Sequence, residues 1–282
     1  PPEYFKHYEG RVHLPDLPPG FLAKEVPFVR AAMKCFDICD PERKDRAAHE
    51  RALAAYCGCI EWVDDAIGRV LATLDYLGLA ENTLVIYGSD HGEMAGERGT
   101  WQKSVFYEAS ARVPLLMRLP GITGNGGRRV ATPVGLIDLF PTFCELAGTA
   151  TPAECGGTSL LPLLRGGTIT GDAIFSESVV IHSPNDAGCM IRTGRWKYNT
   201  YLDGAEELYD VVADPGEWTN LAAVPAHAAI RADLRRRVLA FWEPEKQLGR
   251  YQAHPRMSRQ KHFYEFSNQF VLGDGAIIDA RP

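Results

Sequence analysis

An unbroken run of β-branched, apolar and aromatic residues spans Thr83 to Tyr87. Such a run is typical of a strand that is buried on both faces of a sheet. A glycine and a serine interrupt it, and Asp90 and His91 follow at once. The pattern predicts an interior strand that ends in a carboxylate and an imidazole, where open α/β sheets place their ligand sites.

Apolar residues recur at three- and four-residue intervals over residues 53–74, upstream of that strand. This spacing predicts a long amphipathic helix that runs to about residue 77. The Asp-Pro-Glu sequence at 40–42 is typical of a helix start, and Gly78 is typical of a helix end. Asp64 and Asp65 lie near the middle of the helix. Adjacent helical positions point about 100° apart, which disfavours this pair as metal ligands.

Several further elements can be predicted from the same patterns. The first 28 residues are rich in proline and aromatic residues, which predicts an irregular surface segment without long helices. Downstream we expect a strand at 113–119, a helix at 134–146 kinked by Pro141, and a strand at 173–177 that returns to the main sheet. Short antiparallel strands should follow from about residue 188, with a turn at Asp203-Gly204 and a helix at 226–241.

The predicted fold class is therefore α/β: a mostly parallel sheet sandwiched by helices, followed by a small antiparallel sheet with one packed helix. We place the domain boundary so that residues 1–187 belong to the α/β domain. Residues 188–282 then form a small carboxy-terminal subdomain and tail. The aromatic and partly basic sequence after residue 250 has few apolar partners of its own, so we expect it to contact a second copy of the chain in a homo-oligomer.

Charge and composition exclude some partners. The formal net charge of −6 argues against a nucleic-acid or anionic-membrane partner, and no run approaches 18 apolar residues. The seven cysteines are odd in number and lie mostly within apolar or helical patterns. We therefore expect a reduced, cytoplasmic protein; a periplasmic or secreted one stays open, because the chain begins without a Met.

The stretch from Asp90 to Lys103 is the main candidate for chemistry. Its first two residues suit a hard cation, and the three glycines after them allow a close approach of the backbone to a ligand. Lys103 at the far end of the loop can fold back towards Asp90 and clamp an anion. An isolated Asp-His pair could equally be a helix cap with a hydrogen-bonding neighbour, so the pair alone leaves both readings open.

The longer pattern decides between them. The sequences SDHGEMxGERGxWxK and FYExSARVPLLMRLPG resemble the sulfatase family of the alkaline-phosphatase superfamily, most closely its choline-sulfatase and phosphonate monoester hydrolase branch. The segment 214–221 also matches the family's DP-x-E-x-x-N-L turn. The resemblance implies a metal-dependent hydrolase of small sulfate monoesters. Its divalent cation is expected to be Ca²⁺, with Mg²⁺ or Mn²⁺ as alternatives.

Residue roles follow from the same resemblance. Asp90 is expected to ligate the metal, and His91 to ligate it or to hydrogen-bond the nucleophile. Lys103 is expected to contact the sulfate or leaving-group oxygen, so Lys103 and His91 are the catalytic candidates. The family's nucleophile, a cysteine converted to formylglycine, has no counterpart at the matching place. Cys39 fits the minimal C-x-P-x-R signature, but it lacks the continuation of that signature, and we interpret it as an ordinary residue.

Two alternatives stay open from the sequence. A phosphonate monoester or phosphodiester hydrolase of the same superfamily would use the same cation and lysine. A chain without the nucleophile could also be an inert structural or interaction module. Because the formylglycine region and the remaining metal ligands are not found, we expect this chain alone to be inactive and to bind its cation weakly.

Overall fold

The computed structural model describes residues 1–34, 45–124, 127–179, 187–246 and 249, and the backbone of 269–271 and 277–279. The α-helices in order are α1 (Pro2–Tyr8), α2 (Phe21–Lys24), α3 (Pro27–Lys34), α4 (Arg46–Tyr76), α5 (Glu108–Ala111), α6 (Pro120–Thr123), α7 (Leu139–Leu146), α8 (Leu161–Leu164) and α9 (Ala228–Phe241). The strands are β1 (Val85–Gly88), β2 (Leu115–Arg118), β3 (Ala173–Val179), β4 (Ala187–Thr193), β5 (Trp196–Tyr201), β6 (Glu206–Asp210), β7 (Gln269–Val271) and β8 (Ile277–Asp279).

The long helix α4 confirms the prediction made from the apolar spacing, and it ends where expected. Its N-cap is Asp45, whose side chain accepts a hydrogen bond from the Ala48 N–H at 2.9 Å. The predicted helix start was the Asp-Pro-Glu sequence at 40–42. Those three residues, and Cys39, lie outside the described residues. Helix α1 packs against α4 at Gly58, where a Cβ atom would come within 3.0 Å of the α1 backbone.

Strand β1 forms at the predicted place, but the described residues do not confirm the expectation of an interior strand in a mostly parallel sheet. Strand β1 has one partner there, β2, and the pair is antiparallel, with Val85 opposite Arg118 and Gly88 opposite Leu115. Tyr87 is exposed. An apolar run predicts that a strand can be buried, but it does not specify which strands pair with it or in which direction.

Strands β3 to β6 form an antiparallel sheet in sequential order. The predicted strands after residue 188 and the Asp203-Gly204 turn are confirmed. Strand β3 was expected to return to the main sheet, and this is wrong, because β3 pairs with β4 across the predicted domain boundary. The boundary itself stays a prediction. Helix α7 begins later than predicted and has Pro141 in its first turn, where a proline is tolerated without a kink.

This antiparallel sheet is covered on both faces because successive side chains of a strand point to opposite sides. Residues such as Ile191, Tyr198 and Leu208 face α9 and form one core cluster. Met190 and Tyr201 lie in the second cluster, which also contains residues of α3 and of the segment 94–107. The second cluster therefore joins the sheet to the loop that follows β1.

The amino-terminal segment is less irregular than predicted, since it contains α1, α2 and α3. Phe28 of α3 is buried and stacks on Phe106 with ring centroids 5.7 Å apart. Over residues 250–282 only the backbone of β7 and β8 is described, so the expected contact of this tail with a second copy stays a prediction. None of the described helices is both long and apolar enough to cross a membrane.

Candidate active site

Asp90 lies two residues after the end of β1, and its side chain is 86% exposed. Its Oδ1 accepts a hydrogen bond from the His91 backbone N–H at 3.0 Å, and the Ser89 hydroxyl lies 3.4 Å away. The hydrogen bond from His91 lowers the pKa of the Asp90 carboxyl below its ordinary value. The carboxylate is therefore ionised at neutral pH, and most of its surface is free to bind a cation.

His91 turns its ring so that one nitrogen is fixed and the other is available. Nδ1 lies 2.7 Å from the Gly92 carbonyl oxygen, and Nε2 lies 3.7 Å from Asp90 Oδ2. A carbonyl oxygen can only accept, so Nδ1 is the donor of this hydrogen bond. In the neutral ring Nε2 then carries the lone pair, which is the state required for a metal ligand or a proton acceptor.

Gly92 holds this pair against α5. Its backbone N–H donates to the Ser110 carbonyl oxygen at 2.8 Å. A Cβ atom at position 92 would lie 2.0 Å from the Ala109 carbonyl oxygen, so no larger residue fits without moving the backbone. The glycine predicted to allow close approach therefore approaches a helix of the same chain.

The loop after Gly92 contains an unusual density of left-handed backbone. Four residues other than glycine have positive φ there: Ala95, Arg98, Gln102 and Ser104. Such conformations cost about 1–3 kcal/mol each and cluster at active sites and ligand clamps. Two of them flank Lys103, whose Nζ donates to Gln102 Oε1 at 3.3 Å. Within the described residues no hydrogen bond or ion pair joins Lys103 to Asp90 or His91, so the predicted clamp stays a prediction.

Arg98 anchors this loop from inside the protein. Its guanidinium lies between the rings of Tyr107 and Trp218, 3.7 and 4.2 Å from their centroids. Nη1 donates to Glu25 Oε1 at 2.5 Å, and Nη2 donates to the backbone of the 214–221 turn. Burial raises the pKa of Glu25, against the opposing attraction of Arg98. The buried side chain thus connects the loop, the amino-terminal segment and the turn.

A second buried ion cluster lies beside the first. Lys197 of β5 is fully buried, and its Nζ is 2.7 Å from both Glu108 Oε1 and Glu217 Oε1. The Glu217 contact lacks the alignment of a hydrogen bond, whereas Nζ donates to the Phe106 carbonyl oxygen at 2.7 Å. Burial raises the pKa of Glu217. Burial also acts to raise the pKa of Glu108, but Lys197 and then Arg192 lower it overall. The cluster fixes α5, and through it Gly92, on the antiparallel sheet.

A cleft of about 980 Å³ opens beside Asp90. Its walls come from α5 and β2, from the 130–137 loop, and from β3 and β4. Asp90, Glu108, Arg112 and Arg192 are its charged lining residues, whereas His91 and Lys103 do not line it. A second cavity, of about 850 Å³, is lined by the Pro-rich segment 16–23 with Arg30 and Arg46. We assign the candidate site to the first cleft because Asp90 lines it.

Comparison with known proteins identifies the family. The family model described as Sulfatase matches residues 11–149. The model described as N-sulphoglucosamine sulphohydrolase, C-terminal, matches residues 96–243, just over half of the chain. The chain belongs to the sulfatase family. The segment from Asp90 to Lys103 lies within the first match, and the cleft is built from residues of both.

Individual relatives agree with this assignment. Arylsulfatase K of Mus musculus is 36% identical over 228 residues, which are 77% of this chain and 38% of the relative. Choline-sulfatase of Rhizobium meliloti is 36% identical over 202 residues, 69% of this chain and 38% of the relative. The phosphonate monoester hydrolase of Silicibacter pomeroyi matches with a TM-score of 0.71 at 28% identity, over 95% of this chain and 54% of that one.

These similarities also show how much of its relatives' length the chain covers. It spans less than half of the length of the two curated relatives. Its structural neighbours have the alkaline-phosphatase-like fold, and the sulfatase family generally uses a divalent cation. Within the described part of the chain, no three histidine, cysteine, aspartate or glutamate side chains come close enough to hold a metal ion together. Asp90 and His91 are therefore two candidate metal ligands without a third beside them in the described part of the chain.

Sequence reasoning missed the charged residues that build the cleft. Arg112 follows α5 directly, and Arg192 lies on β4 on the same side as Met190. The signal for Arg192 was present, because an arginine on the alternating inward positions of a strand must have a partner or a ligand. No local pattern predicted that Glu108 and Lys197 would meet.

Proposed function

We propose that the protein containing this chain hydrolyses sulfate monoesters, with a divalent cation bound in part by Asp90 and His91. The observation that supports this most directly is the Asp90–His91 geometry, with Asp90 lining a cleft. An ionised, exposed carboxylate oxygen and an imidazole nitrogen lie 3.7 Å apart and are two candidate ligand atoms for one cation. The donor set fits a hard cation through its carboxylate oxygen, and we propose Ca²⁺, with Mg²⁺ or Mn²⁺ as alternatives.

The chain's own residues would then have distinct roles. Asp90 would hold the cation, and the Gly92 carbonyl oxygen would keep the His91 ring in the tautomer that presents Nε2. The cation, when bound, withdraws negative charge from the ester oxygens. Lys103, at the turn between two left-handed residues, would stabilise charge on the sulfate or on the leaving oxygen as the S–O bond breaks. The cleft beside Asp90 would hold the alcohol part of the ester.

The test uses the protein at its full encoded length. Asp90→Asn removes one anionic oxygen ligand, and we expect it to lower turnover of 4-nitrophenyl sulfate at least about 100-fold and to abolish metal retention after desalting. Asp64→Asn is the matched control, because it changes an exposed aspartate of α4 and also tests the alternative aspartate pair. The proposal is wrong if Asp90→Asn keeps both metal and turnover, or if Asp64→Asn loses them.

A phosphonate monoester or phosphodiester hydrolase is the second candidate. It is favoured by the similarity to the Silicibacter pomeroyi enzyme, which extends over 95% of this chain. Cation and lysine suit both reactions, so the residues described above do not separate them. Parallel values of kcat/KM on an aryl sulfate and on an aryl phosphodiester decide between the two. Absence of turnover on both would favour the third alternative, an inert interaction module.

The expected parallel sheet also becomes a proposal. Strand β1 has one edge without a partner among the described strands, and Tyr87 and Leu116 of the β1–β2 pair are exposed. We propose that further strands of the whole sulfatase domain pair with this free edge and make β1 an interior strand. A structure of the full-length protein in which β1 stays at an edge would contradict this.

A further inference from the structure

The cleft beside Asp90 contains guanidinium groups with unused hydrogen-bond donors. Arg192 donates from Nε to Glu108 Oε1 at 3.3 Å, but its Nη1 is buried and has no partner. The guanidinium of Arg112 is exposed, and within the described residues it makes no hydrogen bond or ion pair. Both side chains line the same cleft.

A purely structural role accounts for only part of Arg192. Glu108, its one partner, already lies 2.7 Å from the buried Lys197. Because Lys197 is shared with Glu217, Arg192 supplies the second positive charge through its Nε contact, but that contact leaves Nη1 without an acceptor. A buried N–H without a partner costs free energy, and the large majority of buried polar groups in folded proteins are hydrogen-bonded to protein or to ordered water, so Nη1 requires a partner from outside the described residues.

The charge balance of the cleft favours an anion at these two arginines. The negative lining residues are Asp90 and Glu108. Glu108 is paired with Lys197 and Arg192, and Asp90 would be neutralised by the cation of the proposed function. Lys197 is shared with Glu217, so Lys197 and Arg192 together balance the two carboxylates. Arg112 is then the uncompensated charge of the cleft, and Arg192 adds the unused donor Nη1. Their planar donor arrays match the two oxygens of a carboxylate or the oxygens of a sulfate.

We propose that Arg192 and Arg112 bind a second oxyanion, carried by the alcohol part of the substrate. The substrates would then be esters with two negative groups: the sulfate that is cleaved at Asp90, and a carboxylate or an uncleaved sulfate held in the cleft. This inference rests on the proposed function and narrows it to one substrate class. It assigns a specificity role to β4, a strand of the antiparallel sheet that lies outside the segment from Asp90 to Lys103.

The kinetic test compares matched esters on the full-length protein. The substrates are 3-carboxyphenyl sulfate, its uncharged analogue 3-carbamoylphenyl sulfate, and benzene-1,3-diyl disulfate. We expect kcat/KM to favour an ester with a second oxyanion by about tenfold, the effect of one charge-assisted hydrogen bond, mainly through KM. Arg112→Gln and Arg192→Gln should each remove most of this preference. Comparing the carboxylated and disulfated esters identifies the oxyanion.

Arg118→Gln is the matched control. Arg118 is an exposed arginine of β2 that does not line the cleft, so its variant should keep the full preference. Arg112→Gln is the more decisive of the two cleft variants, since the Arg112 side chain is exposed and makes no hydrogen bond or ion pair with the described part of the chain. A preference that is the same in wild type and in both cleft variants overturns the inference.

A binding measurement separates failure of the inference from failure of the proposed function. The phenols 3-hydroxybenzoate and 3-hydroxybenzamide lack the sulfate, and their dissociation constants can be compared by ligand-observed NMR. We expect the benzoate to bind about tenfold more tightly, and Arg112→Gln to remove the difference. That result without turnover of any ester would overturn the proposed activity and keep the anion site. Equal binding of the two phenols, together with equal kcat/KM for the charged and uncharged esters, would overturn the anion site.

Discussion

Replacing Lys197 by methionine tests the buried ion cluster that fixes α5 on the antiparallel sheet. Methionine keeps most of the volume of the side chain and removes its charge. The variant leaves Glu108 and Glu217 close together without their shared cation, and Glu217 is only 3% exposed. Removing one partner of a buried ion pair costs about 3–5 kcal/mol, a large part of the 5–15 kcal/mol that stabilises a typical domain.

The cost should depend on pH in a defined direction. In the variant the two carboxyls keep the burial that raises their pKa and lose the Lys197 charge that lowers it. The folded-state pKa of Glu217, which burial already raises, then lies further above its unfolded value, so stability falls as pH rises through that interval. The difference from wild type should be largest at pH 7 and smaller near pH 4.5, where protonation neutralises the pair.

The measurement is urea unfolding followed by tryptophan fluorescence at several pH values. Lys246→Met is the matched control, because Lys246 forms an exposed pair with Glu243 at 3.0 Å and should lose less than about 0.5 kcal/mol. Adding Glu217→Gln to the Lys197 variant removes one of the two carboxylates and should restore at least about 1 kcal/mol at pH 7. A loss below about 1 kcal/mol at pH 7 that does not change with pH would refute this reasoning.

Two further variants test local features. Gly92→Ala places a Cβ atom 2.0 Å from the Ala109 carbonyl oxygen and should lower the free energy of unfolding by about 1–3 kcal/mol. Gly121→Ala, which meets no atom within 4 Å, should change it by less than about 0.5 kcal/mol; equal effects of the two would contradict the contact. Asp210 accepts hydrogen bonds from Arg195 at 2.6 and 2.9 Å, and these lower the pKa of the Asp210 carboxyl. The ionised carboxylate therefore stabilises the fold fully above the ordinary pKa of an aspartate, and this stabilisation is lost as pH falls through the lower pKa of the folded state. Asp210→Asn should therefore weaken the acid dependence of urea unfolding between pH 4 and pH 2, and an unchanged pH profile would count against it.

Much of the local structure could be predicted from the sequence because local patterns determine it. The spacing of apolar residues predicted α4, and alternation with turn residues predicted the antiparallel strands and the Asp203-Gly204 turn. The pairing of β1 with β2 in antiparallel orientation could not be predicted in this way. Strand pairing joins segments that are distant in sequence, and an apolar run such as Thr83 to Tyr87 is compatible with either direction.

The candidate site also contains residues that the local sequence predicts and residues that only the fold brings together. The Asp90–His91 pair follows directly from the end of a strand, and the family resemblance extends over the adjacent loop. Arg98 illustrates what the sequence does not show: its partners Glu25 and Glu217 are 73 and 119 positions away. The left-handed backbone at Gln102 and Ser104 was equally hidden, since both residue types usually adopt ordinary conformations.

The Arg98 anchor restricts how segments of this protein could be exchanged with those of its relatives. A chimaera that takes the 214–221 turn from another sulfatase must keep an aromatic ring at Trp218 and a backbone that can accept from Arg98. A replacement of the amino-terminal segment must likewise supply a carboxylate at the position of Glu25. A crossover point between β1 and Lys103 would take the loop that carries Arg98 from a different parent than one or more of its contacts at Glu25, Trp218 and the turn backbone. Recombination should therefore succeed where the three segments come from one parent or from parents that share these groups, and natural substitutions at these positions should occur together.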